Sequence, residues 1–333
     1  MAHTIGRRGV MLGALVAGCA PGLPSQTEFD QAADAEIARR PQDYVNGEAR
    51  AFAVRRDGQM KGLLWGTIHI GYADATVMPA DIRRLFAGSA SLSVEEVLDQ
   101  QSTQRAAAFR QLRKRTFYTP DPAVLAALPA ETWQALYSAG MTDADIEKLT
   151  LTGLSTFVTN RASSKLPGVL PRGEIVDMNL VRFARSAAIP VHALEEIDAA
   201  MVEAMHYGSP NGTNGAAALA WTLRRRERLS AFSDWVTTQY GNGAVARASA
   251  GLDTWEATRA DLARHDERRA ALLTDRNRSW IAAIETRMTE ADKPAFIAFG
   301  CSHLLGDDGV VALLRAKGWT VTPCLGDRCG SSA

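Results

Sequence analysis

The sequence predicts an α/β fold with a mainly parallel central sheet, and a repeated phrase is the first reason. A Gly-x-x-His phrase occurs at Gly66–His69 and again at Gly300–His303, each time after an apolar run. Each phrase is followed by a loop, a helical pattern, a glycine and a second apolar run. A helix that joins two strands in this way places them parallel, with a right-handed connection. Two such units therefore predict a parallel sheet that is buried on both faces.

The first unit begins with a predicted hairpin that leads into His69. Its two strand-like runs flank an Asp-Gly dipeptide, which is typical of a tight turn between paired strands. The pattern then predicts a crossover helix and a strand that ends in an acid pair. In chain order, the unit is predicted to contain a strand at 51–54, a turn at Asp57 and Gly58, a strand at 62–65, a helix at 79–87, a stop at Gly88 and a strand at 92–94.

The second unit repeats this order after His303. The pattern predicts a helix over 310–317 and a strand over 319–322. Asp307 or Asp308 is expected to cap the N-terminal amides of the helix. Gly318 suits the left-handed backbone position that follows a helix end. The two units thus predict equivalent connections that start from two strands of one sheet.

The remainder of the domain is predicted to be mostly helical. Residues 100–165 and 218–290 show helical patterns and lie between pieces of one sheet. Residues 172–196 return to the α/β pattern, with a helical stripe and then a strand at 191–194. We therefore predict one domain over 45–323, in which the helical insertions cover the sheet faces or form a lid over its edge.

Residues 1–18 are predicted to be an export signal. Two arginines precede an apolar stretch that is too short for a permanent membrane span. The stretch closes on Val16–Cys19, which resembles the bacterial lipobox. The resemblance implies a lipidated Cys19, a tether over 19–44 and a periplasmic lipoprotein anchored to the outer membrane of the cell envelope. The alternative is an ordinary cleaved signal with an incidental cysteine.

The charge balance argues against nucleic acid as a partner. The chain has 37 basic and 37 acidic residues, and residues 1–18 hold two arginines and no acid. The basic run at 224–228 is predicted to be the solvated face of a helix. Binding to phosphate backbones requires clustered lysine and arginine, which this sequence does not otherwise show.

The four cysteines do not form a metal-binding Cys-x-x-Cys pattern. Cys324 and Cys329 lie in the predicted tail, at 324–333, and an oxidising periplasm would allow them to form a disulfide. Cys301 lies inside the second Gly-x-x-His phrase. As a single cysteine without an evident partner, it is predicted to be a small buried residue rather than a nucleophile.

Acids follow two of the predicted strands, as histidines follow two others. Glu95 and Glu96 end one strand, and Glu195 and Glu196 end another. Imidazole and carboxylate are donor types that bind Zn, Mn, Fe or Co, and ligands of open α/β sheets lie beyond the carboxyl ends of the strands. One acid would serve as a ligand and another as a general base, with Glu95 and Glu195 preferred and their neighbours left as alternatives. The competing interpretation is a set of hydrogen-bonded structural histidines.

Several short blocks together resemble the TraB/GumN family, which includes the Tiki proteins. The resemblance covers about 45–323, nearly the whole mature chain. Each block is short, and their order along the chain makes the resemblance specific. The blocks are Trp65–Gly71 with Met78 and Pro79, the acid after Val94, Gly173 and Glu174 with Asp177, Leu194 and Glu195, Arg276 and Asn277 with Trp280, and Gly300–Gly309.

The resemblance implies a fold related to the erythromycin esterase and ChaN group, and a site built around both histidines. Tiki members are metal-dependent proteases supported by manganese or cobalt, and TraB-type members reduce peptide pheromone activity. By carry-over, His69, His303 and Glu95 would bind a divalent metal (Mn, Co or Zn) or act as catalytic groups, Glu195 would be a further site acid, and Arg276 would anchor the substrate or a carboxylate. The acid pair at Glu95 and the Cys301 position depart from the family pattern.

The sequence therefore predicts a metal-dependent hydrolase that acts on peptides or proteins of the cell envelope, with Glu95, Glu195 and Arg276 as its catalytic groups. The alternative is a non-enzymatic envelope protein that binds a peptide, a glycan or haem in the same cleft. A GumN-like accessory role in polysaccharide production belongs to this alternative.

Overall fold

The computed structural model describes residues 26–69, 78–97, 103–163, 176–196, 213–257, 267, 269–325 and 329. The predicted signal at 1–18 and the predicted lipidation site Cys19 lie outside these residues. Among the helices in the described part of the chain, none is long and apolar enough to cross a membrane.

Six strands and a larger set of helices make up the described chain. The strands are β1 (Ala51–Arg56), β2 (Gln59–Thr67), β3 (Leu92–Val94), β4 (Val191–Ala193), β5 (Ala295–Gly300) and β6 (Thr320–Pro323). The α-helices are α1 (Gln26–Arg39), α2 (Ala80–Ala87), α3 (Thr103–Tyr118), α4 (Pro122–Ala126), α5 (Ala130–Ser138), α6 (Asp143–Ile146), α7 (Leu151–Ser163), α8 (Val176–Ser186), α9 (Thr213–Gly241), α10 (Val245–Ala257), α11 (Asp275–Thr289) and α12 (Val310–Ala316).

The strands form one sheet in the order β4-β3-β5-β2-β1-β6. The pairs β4/β3, β3/β5 and β5/β2 are parallel, whereas β1 is antiparallel to both of its neighbours. Every strand except β1 therefore runs in the same direction. The predicted α/β fold with a mainly parallel sheet is confirmed, and so is the predicted hairpin of β1 and β2.

The two crossover units leave the middle of the sheet in opposite directions. The first runs from β2 through α2 to β3, and the second from β5 through α12 to β6. Phe86 of α2 packs with Trp65 on one sheet face, whereas Leu314 of α12 packs with Leu64 on the other. Opposite connections from adjacent parallel strands open a crevice at their carboxyl ends. His69 follows β2 and His303 follows β5, so both histidines lie at this crevice.

The helix ends of the second unit match the prediction in one of two respects. Gly318 adopts φ +85°, which is the left-handed conformation expected after the end of a helix. The predicted cap by Asp307 or Asp308 is wrong, because Gly309 is the N-cap and no side chain bonds the first amides. Asp308 instead binds Arg278 through its carboxylate and Asn277 through its carbonyl.

The two helical insertions have different positions. The second covers both sheet faces, since the C-terminal half of α9 packs on one face and α11 on the other. In the first insertion, residues of helices α4 to α7 form a separate apolar cluster with Leu219 and Leu223 of α9. Among the described residues, the second insertion therefore acts as the predicted cover of the sheet, and the first packs mainly on α9.

The prediction of a tether over 19–44 is wrong for residues 26–44. Residues 26–39 form α1, in which Phe29 and Ala33 are buried. The ring of Phe29 lies 5.4 Å from that of Phe232, and Asp30 accepts a hydrogen bond from the indole of Trp235. Burial of this apolar face fixes the segment against the domain, so any tether ends before α1.

At the other end of the chain, the predicted disulfide between Cys324 and Cys329 is present.

Candidate functional site

The carboxyl ends of four neighbouring parallel strands bring the predicted site residues together. In sheet order they are Glu195 after β4, Glu95 after β3, His303 after β5 and His69 after β2. The Nε2 atom of His69 lies 3.7 Å from Oε1 of Glu95, and that of His303 lies 3.9 Å from the same oxygen. Both imidazoles therefore converge on one carboxylate oxygen, and of the alternatives left open by the sequence, the side chains of Glu95 and Glu195 face the site.

His303 is a buried, neutral histidine with a fixed ring orientation. It follows β5 in a short 3-10 turn (Cys301–Leu304), and its Nδ1 lies 2.6 Å from Oδ1 of Asn277. The amide of Asn277 donates to the Asp308 carbonyl at 2.9 Å, which turns its oxygen toward the ring. Nδ1 therefore carries the hydrogen, and Nε2 presents a lone pair to the site. Burial lowers the pKa of His303 to about 3, the positive Arg276 adds to this effect, and Glu95 opposes it.

His69 is held by a carboxylate in the same way. Its Nδ1 donates to Oδ2 of Asp177 at 3.0 Å, and Thr67 donates to the other oxygen of Asp177 at 2.9 Å. Desolvation of the ring lowers the pKa of His69, but Asp177 and Glu95 raise it to about 9. Because 58% of the side chain is exposed, water solvates much of the ring, and the carboxylates set the direction of the shift. Asp177 thus directs Nε2 of His69 toward Glu95.

Glu95 is ionised at neutral pH. Its Oε1 accepts from the backbone N–H of Gly300 at 2.6 Å, and its Oε2 accepts from Arg276 at 2.5 Å. Burial raises the pKa of Glu95, but the neighbouring positive charges and this N–H lower it to about 2. His303 contributes to this lowering only where it is protonated; near pH 7 it is neutral, and His69, Arg276 and the Gly300 N–H keep Glu95 ionised. A carboxyl with so low a pKa is a good ligand and a weak base.

Arg276, in the first turn of α11, links the two acids of the site. Its guanidinium binds Glu195 through Nε, at 2.9 and 3.1 Å, and through a second nitrogen. The remaining nitrogen lies 3.2 Å from Nε2 of His303 and donates to the Leu272 carbonyl. Trp280, one turn further along α11, donates to Glu195 at 3.0 Å. Glu195 therefore has its oxygens occupied, and it fixes the orientation of Arg276.

The glycines of the two Gly-x-x-His phrases have different roles. A side chain at Gly66 would lie 2.7 Å from Leu304 and 2.9 Å from Cys301, because the turn of the second phrase packs directly on the first. A side chain at Gly300 would instead lie 3.3 Å from Oε1 of Glu95 and 3.5 Å from Nε2 of His69. Gly66 thus allows the two phrases to touch, and Gly300 keeps open the space between the site groups.

Cys301 is a buried free thiol, as predicted, and burial raises its pKa to about 12.

The donor types at this site fit a divalent metal ion. Nε2 of His303 and one carboxylate oxygen are donors that bind Zn, Mn or Co, and Nε2 of His69 would join them by releasing the proton that its raised pKa retains near pH 7. Asp177 and Asn277 orient the two rings as partners of metal-bound histidines do. Among the described residues, no three His, Cys, Asp or Glu side chains already form a metal cage. Arg276 also contacts this donor set, because it binds Glu95 and lies beside Nε2 of His303.

Sequence reasoning did not assign roles to Asp177, Asn277 or Trp280. Asp177 and Asn277 were noted only as parts of the resemblance, although each fixes one histidine. Asn277 carries a recognisable signal, because it lies in the buried stripe of α11 with Trp280, Ile281, Ile284 and Met288. A polar residue inside an apolar helical stripe requires a buried hydrogen-bonding partner.

We expect Asn277→Ala to weaken the fold and, if the site holds a metal ion, to weaken the binding of that ion. The substitution leaves the N–H of His303 and the carbonyl of Asp308 without this partner, at a cost of about 1–3 kcal/mol. It also frees the ring of His303, and loss of such a supporting contact lowers metal affinity about 10–100-fold. Urea unfolding and metal titration measure the two effects. Ser279→Ala on the exposed face of the same helix is the control, and equal losses in both variants would contradict the assigned role.

The fold and the site together define an α/β protein whose two Gly-x-x-His phrases place a pair of histidines at the carboxyl ends of the parallel strands. The sequence model of the TraB/PrgY/gumN family matches residues 51–323, which is most of the chain. The chain therefore belongs to the TraB/PrgY/gumN family. Comparison with curated proteins and with solved structures gives no significant match.

Proposed function

We propose that the protein is a metal-dependent hydrolase that cleaves peptide bonds in the cell envelope. The observation that carries the proposal is the convergence of two Nε2 atoms, from His69 and His303, on Oε1 of Glu95. These three groups would hold a divalent ion such as Mn, Co or Zn. When bound, such an ion polarises a carbonyl and makes water a stronger nucleophile near neutral pH.

Each residue of the site has a distinct part in this proposal. Asp177 and Asn277 keep the hydrogens of His69 and His303 on Nδ1, so that both Nε2 atoms face the substrate side. Arg276 places a fixed positive charge where negative charge develops on a carbonyl oxygen. Glu195 positions Arg276, and this role replaces that of general base, because its oxygens already accept from Arg276 and Trp280.

The expected location follows from the sequence. The lipobox-like segment that ends at Cys19 supports a lipoprotein in the periplasm, attached to the outer membrane, with peptides or envelope proteins as substrates. The disulfide between Cys324 and Cys329 supports an oxidising compartment.

Loss of either histidine is expected to remove the metal and the activity. Purified protein should contain about one divalent ion per chain. His69→Ala and His303→Ala should each lower metal affinity at least about ten-fold, since each removes one of the three proposed ligands. His69→Ala is the cleaner variant, because His69 is largely exposed whereas His303 is buried. Elemental analysis and hydrolysis of a peptide library, with and without chelator, are the measurements.

His192→Ala is the matched control for these variants. His192 lies in β4 of the same sheet and is partly buried, but it belongs to the strand and not to its carboxyl end. It should retain metal and activity. Equal metal content in the wild type and in both site variants would overturn the metal site.

A second function is favoured by the contacts of Arg276. The guanidinium already pairs with both Glu95 and Glu195 and lies beside His303, so these groups hold one another by ion pairs and hydrogen bonds that need no metal. Such a cleft suits an envelope protein that binds a peptide, a glycan or haem without turnover. Ligand binding that is insensitive to chelator, with no cleavage of any library peptide, would favour this function.

A further inference from the structure

A cavity of about 250 Å³ lies between α2, α8 and β2. Apolar side chains form most of its described walls. They are Trp65, Met78, Phe86, Val176, Leu180 and Phe183. A space of this size exceeds the gaps left by ordinary packing, and apolar walls favour an apolar occupant.

The cavity adjoins the site through both of its main walls. On α8, Val176 lines the cavity and the next residue, Asp177, binds His69. On β2, Trp65 lines the cavity and Thr67 donates to Asp177. Residues two apart on a strand share a face and lie about 6–7 Å apart along it. The cavity wall at Trp65 therefore lies about 6–7 Å along the strand from Thr67, which binds the Asp177 carboxylate that orients His69.

The walls of the cavity are preformed. Four residues of α8 that face it recur at helical spacing, Val176, Asn179, Leu180 and Phe183. Phe86 packs against Phe183 at 5.0 Å and against Phe296 of β5 at 4.3 Å between ring centres. Phe183 is 37% exposed, so this wall reaches the surface. Aromatic walls fixed by the sheet core give an apolar side chain a defined place to bind.

We propose that this cavity is the specificity pocket of the site and takes one large apolar side chain of the peptide substrate, such as phenylalanine or leucine. Side chains on one face of an extended peptide are also spaced by about 6–7 Å, so the step from cavity to site matches the substrate backbone. The proposal rests on the proposed function, because the occupant is a substrate side chain only if the protein cleaves peptides. Binding of an apolar side chain can nevertheless be measured without turnover.

The first test is binding of two small probes to the intact protein by ligand-observed NMR. N-acetyl-phenylalanine amide should bind about ten-fold or more tightly than N-acetyl-glycine amide, because only the former buries a large apolar group. Asn179→Phe, which places a ring in the cavity, should abolish this preference. Met178→Phe adds the same ring to an exposed position of α8 outside the cavity and should retain it. Phe183→Ala, which removes part of a wall, should weaken the phenylalanine probe about five-fold.

The second test separates the pocket from the catalytic proposal. If the protein cleaves peptides, the preference for an apolar residue at one substrate position should be lost in Asn179→Phe and kept in Met178→Phe. If it cleaves none, the probe preference alone supports the pocket while the hydrolase proposal fails. Equal binding of both probes to the wild type overturns the pocket. A preference unchanged in both Asn179→Phe and Phe183→Ala overturns it as well.

Discussion

Replacement of Arg276 by alanine is expected to lower the free energy of unfolding by about 3–5 kcal/mol, because it leaves two carboxylates without their buried cation. The side chain of Arg276 is 10% exposed, and those of Glu95 and Glu195 are 16% and 11% exposed. At these exposures solvent screens the pairs only weakly. Chemical unfolding at pH 7.5 measures the loss.

The loss should depend on pH in a defined direction. In the wild type the pKa of Glu95 is lowered, so its pairing stabilises the fold above the normal carboxyl pKa and is lost as the pH falls toward 2. In Arg276→Ala, Glu95 loses one of the positive charges that lower its pKa, so its pKa is higher than in the wild type. Protonation of Glu95 at pH 5 then removes part of the unpaired buried charge of the variant. The difference in the free energy of unfolding between the variant and the wild type should therefore be smaller at pH 5 than at pH 7.5.

Arg278→Ala is the matched control, two residues away on the same helix. Arg278 binds Asp308 at 2.7 Å, but the two side chains are 59% and 52% exposed. An exposed pair of this kind contributes about 0–1 kcal/mol. If Arg276→Ala cost no more than Arg278→Ala, Arg276 would not be the cation that balances the site.

The sequence predicted that four candidate residues lie close together, because the carboxyl ends of parallel strands meet on one side of a sheet. His69, His303, Glu95 and Glu195 each follow a strand pattern, and the carboxyl ends of β2, β5, β3 and β4 are neighbours in the sheet. The pairing order itself was not encoded in any local pattern. It depends on which strand faces pack in the core, and that is a tertiary property.

The helical contributions to the site were harder to predict for the same physical reason. Periodicity shows which face of α8 or α11 is apolar, but the rotation and depth of a helix on the sheet decide which polar residue reaches a strand end. Asp177 and Asn277 become site residues only through that placement.

The predicted N-terminal tether was wrong for residues 26–44 for a different reason. The spacing of Phe29, Ala33 and Glu36 marks one helix face, and only its contact with α9 and α10 shows that the face is buried.

Alanine at the two phrase glycines should produce opposite results, although the phrases look alike. Gly66→Ala places a methyl group 2.7 Å from Leu304 and 3.0 Å from the Cα atom of Cys301. Overpacking of this kind costs about 1–3 kcal/mol, so unfolding by urea should show a clear loss. The site itself should keep its metal affinity wherever the variant is folded, because the methyl group lies between the phrases.

Gly300→Ala should instead leave the fold intact and damage the site. Gly300 has φ −52° and ψ 134°, a conformation that alanine adopts readily, and the substitution keeps the N–H that binds Glu95. Its methyl group would contact Glu95 and His69 at 3.3 and 3.5 Å, in the space that an ion or a substrate atom needs. If the site binds a metal ion and cleaves peptides as proposed, displacement of its groups by about an ångström should lower the activity about ten-fold or more and weaken metal binding.

Gly241→Ala is the control for both variants. Gly241 ends α9, and a methyl group there would meet nothing within 4 Å. This variant should match the wild type in unfolding, metal binding and hydrolysis. If Gly300→Ala kept full metal affinity and activity, the space beside Glu95 and His69 would not be the reacting centre. If Gly66→Ala unfolded like Gly241→Ala, the close packing of the two phrases would not be what requires glycine at that position.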